Sequence, residues 1–299
     1  MAKRKANNQK SIKRIDQIPL YQGAPSIKWT FDANQGLLFN KWIKWSMEAE
    51  DGKEPKQTEK PLQLEFDKKK FVQDWMKKKV GKKSFIDGYQ KRIRKLVKRL
   101  NGITFEMKTM DRLVTGMSLP HPLENNLVWH HTLGVPFLPG SSIKGMLRAW
   151  LETWKSLDQA ILDHVFGSEA QTGNCLFFDA IPIDVVKLQA DVMTPHFQAY
   201  YSGVEQGDEA NRNPDKDTHP YPDERSNPIP IPFLTVAPEQ TFLFALAPRR
   251  DTSKLNLKQI QLWLEEALCT VGFGAKTAVG YGRFKRKISM NKDDSGKNM

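Results

Sequence analysis

Cysteine is nearly absent from this chain, with Cys175 and Cys269 its only two. Two thiols cannot build a disulfide framework, and neither stands in a Cys-x-x-Cys pair with metal-ligand spacing, so both are expected to be buried thiols. Long apolar runs are missing too. No stretch reaches the roughly 18 uninterrupted apolar residues of a membrane-spanning helix, which argues against a membrane partner. The opening Met-Ala-Lys-Arg-Lys-Ala-Asn-Asn-Gln-Lys lacks the apolar centre of a secretory leader, and the expected compartment is the cytoplasm. Nucleotide signatures fail as well. Gly272-x-Gly274 has Thr277 where the dinucleotide motif needs its third glycine, and its loop runs from helix to strand, the reverse of a dinucleotide fold. Gly140 to Gly145 is followed by Met146 where a P-loop requires lysine. ATP, GTP and NAD are thereby excluded, and no cofactor or metal is expected.

What the chain does have is enough apolar material for a sizeable core and a very uneven charge. Its 299 residues are 39% hydrophobic and include eight Trp, while a mean hydropathy of −0.56 implies a polar surface or polar insertions. Between Lys68 and Leu100 stand eleven Lys and three Arg against Asp74 and Asp87, so this one segment accounts for the whole formal charge of +12. Phe71, Val72, Trp75 and Met76, then Ile93, Leu96, Val97 and Leu100, recur at helical spacing, which predicts helices with one packed face and one basic face. The clusters Lys77, Lys78, Lys79 and Lys91, Arg92, Arg94, Lys95, Lys98, Arg99 repel themselves unless an anion lies nearby, and nucleic acid is the expected anion.

Along the chain, residues 1–20 read as a flexible basic tail and 289–299 as a second tail, flanking a single domain over 21–288. The block from Ile27 to Met47 should be packed and end in a helix, and residues 49–60 read as a polar linker. Ile103, Phe105 and Met107 alternate with Thr104, Glu106 and Lys108 as in a strand, and a short extended piece is expected from Leu113 to Met117. A helix over Asp158 to Val165 should stop at Phe166-Gly167, and Asn174 to Ile183 is strand-like. Residues 203–228 have little to bury and read as a long polar loop. Ile229 to Val236 and Thr241 to Ala247 flank Pro238 as a hairpin, and Leu257, Ile260, Leu264, Ala267, Leu268 and Val271 mark a helix ending at Gly272. Strands and helices in this order suggest an α+β domain with a helix-covered antiparallel sheet.

Two stretches carry most of the functional signal. In the first, Gly134 to Leu151, prolines and Gly140 form a rigid turn, and Ser141 or Ser142 is placed to cap the helix that follows. Ile143, Leu147, Trp150, Leu151 and Trp154 should face a core, with Lys144, Arg148 and Lys155 on another stripe. Free amides at a helix start, with Lys144 one turn in, make a candidate phosphate seat. The second is Gly272-Phe-Gly-Ala-Lys-Thr-Ala-Val-Gly-Tyr-Gly-Arg-Phe284, which leads into a basic strand through Ile288. Here four glycines permit close backbone approach to a ligand, and Lys276 and Arg283 add charge.

Together the turn Pro139-Gly-Ser-Ser-Ile-Lys-Gly145 and the glycine-rich loop resemble the RAMP superfamily of CRISPR proteins. The resemblance narrows with Asp191-Val-Met-Thr-Pro-His-Phe197, Tyr200-Tyr201, Pro228-Ile-Pro-Ile-Pro-Phe-Leu-Thr-Val236 and Gly274-Ala-Lys-Thr-Ala-Val-Gly-Tyr-Gly-Arg283, which are similar to the sixth-RAMP-subunit family of type III-B, or Cmr, effector complexes. It covers about residues 110–285 and leaves the basic segment outside. The resemblance implies a ferredoxin-like, RRM-related RAMP domain, here with a helical basic insertion at 68–100. It also implies a non-catalytic RNA-binding subunit in antiviral defence, capping the effector filament near the 3′ end of the guide RNA. Guide RNA, target RNA and the neighbouring RAMP and small subunits are the implied partners. On matching positions, Ser141, Ser142, Lys144 and Arg148 would lie beside the sheet, and Gly274, Lys276, Thr277, Tyr281 and Arg283 would shape the RNA-facing loop. Lys77, Lys78, Lys79, Lys95 and Lys98 add general attraction for phosphate.

Two alternatives stay open on the residues. Some RAMP relatives cut RNA with a histidine or with an aspartate and a metal, for which His130, His131, Asp32 or Asp111 are the candidates here, none in a matching catalytic motif. In a protein-docking scaffold, the basic face would instead meet an acidic partner subunit.

Overall fold

The computed structural model describes residues 12–17, 33–41, 45–50, 66–194, 230–249 and 255–286. Their elements run β1 (Ile12–Gln17), α1 (Gln35–Lys41), β2 (Trp45–Glu50), α2 (Lys68–Met76), β3 (Lys79–Val80), α3 (Lys83–Arg99), β4 (Ile103–Thr109) and α4 (Gly140–Trp150). A π-helical turn (Leu151–Lys155) extends α4, and α5 (Gln159–Phe166), β5 (Cys175–Phe177), β6 (Ile181–Pro182) and β7 (Val186–Met193) follow. The remaining elements are β8 (Ile231–Val236), β9 (Thr241–Pro248), α6 (Leu257–Thr270), a 3₁₀ turn (Thr277–Val279) and β10 (Phe284–Arg286).

A five-stranded sheet in the order β10-β4-β9-β5, with β6 also paired to β9, forms the centre, and every pairing in it is antiparallel. Its middle strand, Thr-Phe-Leu-Phe-Ala-Leu-Ala-Pro, is an apolar run rather than an alternation, and Phe242 to Ala247 are all buried. Such a strand must be covered on both sides. Arg94 of α3 reaches Thr104 Oγ1 and Glu106, so α3 lies over the face of β4 that carries those residues. The other face carries Phe105, Met107, Phe242, Phe244 and Phe284, with Phe105 stacked on Phe244 and Phe284 set edge-on to Phe242 and Phe244, and there Glu265 of α6 meets Arg286 of β10. The structure is thus a helix-covered antiparallel α+β fold, as expected.

A smaller antiparallel sheet, β3-β7-β8, shares the same core, and β1 pairs with β2. Here the expected hairpin is corrected. β8 pairs with β7 in the small sheet and β9 with β4 in the large one, so Pro238 sits at a crossing between sheets. β7 itself was not anticipated, although Val186 and Leu188 alternating with Lys187 and Gln189 carry a strand signal. Residues 12–17, expected within a flexible tail, form a strand, and Trp45–Glu50 is a strand where the block from Ile27 was expected to end in a helix. The extended piece near Leu113 amounts to one bridge, Leu113 to Val236. The loop at 203–228 and the tail at 289–299 lie outside the described residues.

The basic segment forms the two helices expected of it. Val72 and Trp75 of α2 and Ile86 and Val97 of α3 are buried, while Met76 and Leu96, expected on packed faces, are exposed. Phe71 and Trp75 close around Phe39 of α1, and His121 stacks on Phe39 at 4.5 Å. Lys91, Arg92, Lys95, Lys98 and Arg99 point outward.

Candidate nucleic-acid interface

Gly140 begins α4 because of what it must approach. A Cβ there would strike the Phe177 carbonyl, and the Gly140 amide donates to Asp179 Oδ1 at 2.7 Å, in the link between β5 and β6. The helix start is therefore capped by a distant carboxylate, not by Ser141 or Ser142, which lie inside the first turn with exposed side chains. Asp179 already supplies negative charge at the positive end of the dipole. Among the described residues, however, the amides of Ser141 and Ser142 meet no acceptor.

The glycine-rich loop is built against the protein's own backbone. A Cβ at Gly274 would collide with the Val114 carbonyl and one at Gly282 with the Phe273 carbonyl, both at positive φ (98° and 68°). These two glycines serve internal packing, a correction to the expectation that all four open the loop to a ligand. Gly280, with φ 98°, faces open space, and a Cβ added there would have nothing within 4 Å. Tyr281 is buried, and its phenol donates to Asp191 Oδ2, which Arg112 Nη1 also reaches at 2.5 Å. Tyr281 is thus an anchor of the loop, held by Asp191, marked in the sequence only as the head of a motif, and by Arg112, which no sequence pattern marked. Lys276 adopts φ 59° and lays its ammonium 5.5 Å from the Phe233 ring, a cation–π contact.

Helix start and loop form opposite walls of one cleft of about 690 Å³, with Ser142, Met146 and Trp150 on one side and Gly274, Ala275 and Thr277 on the other. Residues Thr115 to Ser118 close it. A second hollow of about 570 Å³ continues past Trp150 and Trp154 to Lys155, Glu266 and Arg283. Trp150, Trp154, Val271 and Thr277 line both, so the two form one groove. Trp154, expected in the core, is instead 68% exposed. The π-helical turn explains the miss: each residue there advances by less than the α-helical angle, and the indole ends short of the buried stripe. Within the groove Lys155 pairs with Glu266 at 2.7 Å, whereas the Arg283 side chain is exposed and without a partner among the described residues.

The other expected site residues lie apart from the groove. Arg148 is turned to Glu152 and the Gly167 carbonyl. Lys144 is half-buried near Cys175, whose thiol burial pushes up to about 12 against that charge. Lys77 pairs with Asp74 at 3.7 Å, Lys78 lies 5.8 Å from the Trp75 ring and Lys79 is in β3. Lys95 and Lys98 stand on the outer face of α3, across the sheet from α6. Of the histidines, His130 accepts from the amides of Thr132 and Leu133 through Nδ1, and His121 accepts from Leu123 and faces the Phe39 carbonyl. Burial lowers the pKa of both rings. His131 is exposed, Asp111 accepts the Arg112 amide, and Asp32 lies outside the described residues. Among the described residues no three His, Cys, Asp or Glu are grouped to hold a metal, and no helix is long and apolar enough to cross a membrane.

A family profile described as the RAMP superfamily matches residues 106–285. The CRISPR system Cmr subunit Cmr6 of Pyrococcus furiosus is 28% identical over 249 residues, spanning 63% of this chain and 69% of that protein. The Cmr6 subunit of Saccharolobus solfataricus is 26% identical over 189 residues, 61% of this chain and 57% of that protein. Among solved structures, a chain of the type III-B Cmr-β complex bound to cognate target RNA superposes with a TM-score of 0.52 at 26% identity. That match covers 68% of this chain and 65% of the solved one.

Proposed function

Because the chain belongs to the RAMP superfamily, we propose that it is a non-catalytic RNA-binding subunit of a type III-B (Cmr) CRISPR effector complex. In this reading it caps the filament near the 3′ end of the guide RNA and helps hold guide and target beside neighbouring RAMP subunits. The observation that carries the reading is the meeting of two sequence-distant motifs, the α4 start and the glycine-rich loop, as walls of one groove. Among the described residues, the groove offers amides without acceptors at Ser142, Gly274 and Thr277 and the free guanidinium of Arg283. These are donors and charge suited to a phosphate backbone, with no base-reading side chains required. The non-catalytic assignment is supported by His130, the candidate whose Nδ1 is taken up by the turn amides of Thr132 and Leu133.

The test is binding of guide and unrelated RNA across a salt series. Arg283→Ala and Lys276→Ala are expected to weaken assembly on guide RNA. Neutralising Lys77, Lys78, Lys79, Lys95 and Lys98 together should weaken every RNA alike and flatten the salt dependence, by roughly one unit of slope for each phosphate no longer neutralised. Binding that does not change between low and moderate salt would refute the phosphate account. Cleavage of RNA by the purified protein, abolished in His131→Ala or Asp32→Ala, would refute the non-catalytic one.

A further inference from the structure

We propose that Trp154 is a stacking platform for one base of single-stranded RNA, a role that rests on the RNA-binding reading above. The indole is more exposed than any other tryptophan among the described residues with assigned exposure, although it follows a helix whose Ile143, Leu147 and Trp150 are buried. The π-helical turn swings it outward, and the left-handed Ser156 (φ 45°) ends the helix directly after that turn. The exposed ring lines both hollows of the groove, so whatever lies along the groove meets it.

The surroundings select the occupant. Around the indole the cleft mixes apolar side chains, Met117, Met146 and Trp150, with the hydroxyls of Ser118, Ser142 and Thr277. The apolar part of that lining suits the face of a base, and the hydroxyls and open amides suit its ribose and phosphate, so a nucleotide uses both. Arg283, in the adjoining part of the groove, supplies a cation beside the ring for the neighbouring phosphate. A planar π face flanked by a cation is the arrangement by which proteins hold single strands without reading their sequence.

Wild type, Trp154→Ala and Trp154→Phe full-length protein should be titrated with a short single-stranded RNA and with an abasic strand of the same length. Trp154→Ala is expected to bind the base-bearing strand about 5- to 150-fold more weakly and the abasic strand as wild type does. Trp154→Phe, which keeps a ring, should stay within about threefold of wild type. Equal affinity of wild type and Trp154→Ala for the base-bearing strand overturns the stacking role while leaving RNA binding intact. An equal loss on both strands overturns it too, since the ring would then act on the backbone. Retained RNA affinity with lost co-purification of partner subunits would make the groove a protein dock. If wild type binds neither strand, the RNA-binding reading itself fails.

Discussion

The groove and the basic face of α3 lie on opposite sides of the five-stranded sheet, and they are made differently. Around the groove nearly every contact is oriented: glycines are pressed against carbonyls, Tyr281 and Arg112 converge on Asp191, and Asp179 caps α4. On α3 the outward cations sit on an exposed surface whose fold depends on the residues beneath, not on the charges. The contrast teaches that binding and stability are coupled on one side and separable on the other. A single strand that touched both would have to pass round an edge of the sheet.

The sharpest way to break this contrast is at Gly282. Gly282→Ala adds a methyl against the Phe273 carbonyl at positive φ, and a loss of about 3 kcal/mol or more in denaturant unfolding is expected. Gly280→Ala, in open space, should cost only the left-handed backbone penalty of about 1 kcal/mol. Equal costs would show that the loop is not packed as described. Next in size is Asp191→Ala, which strands the Tyr281 phenol and the Arg112 guanidinium and should cost about 1–3 kcal/mol by the same measurement. A neutral result there would detach the loop from β7.

The apolar underside of α2 predicts a pH effect. Burial lowers the pKa of His121 below its ordinary 6.5, so the folded protein refuses a proton that the unfolded chain accepts. Stability should therefore fall as pH drops below about 6.5 and stop falling once the lower folded value is passed. His121→Asn keeps an acceptor for the Leu123 amide but does not titrate, and its Tm should fall less between about pH 7 and about pH 5.5. An identical fall in both proteins would assign the effect to other groups. The smallest effect belongs to the outer cations. Replacing Lys95 and Lys98 by Gln should move stability by no more than about 0.5 kcal/mol, whatever it does to RNA binding.

How much of this was legible beforehand depended on the range of the cause. The alternation of Ile103, Phe105 and Met107 and the spacing of Leu257, Ile260, Leu264 and Leu268 are local patterns, and β4 and α6 followed from them. The two motifs were found as stretches, but not their meeting across one groove, because that depends on the sheet between them. Local spacing misled at Trp154, since a π-helical turn has no compositional mark. It misled again at Pro238, where two apolar runs looked like partners; the strands they pair with, β7 and β4, belong to different sheets. Gly274 and Gly282 were correctly seen as special and wrongly explained, because glycine composition does not tell a ligand from a neighbouring carbonyl.

The Asp179 cap on Gly140 also orders events in time. The carboxylate lies 39 residues beyond the amide it receives, so no segment ending before it can complete the first turn of α4. During synthesis that cap cannot form until the link between β5 and β6 has emerged and docked, so one wall of the groove waits on a segment far from it in sequence.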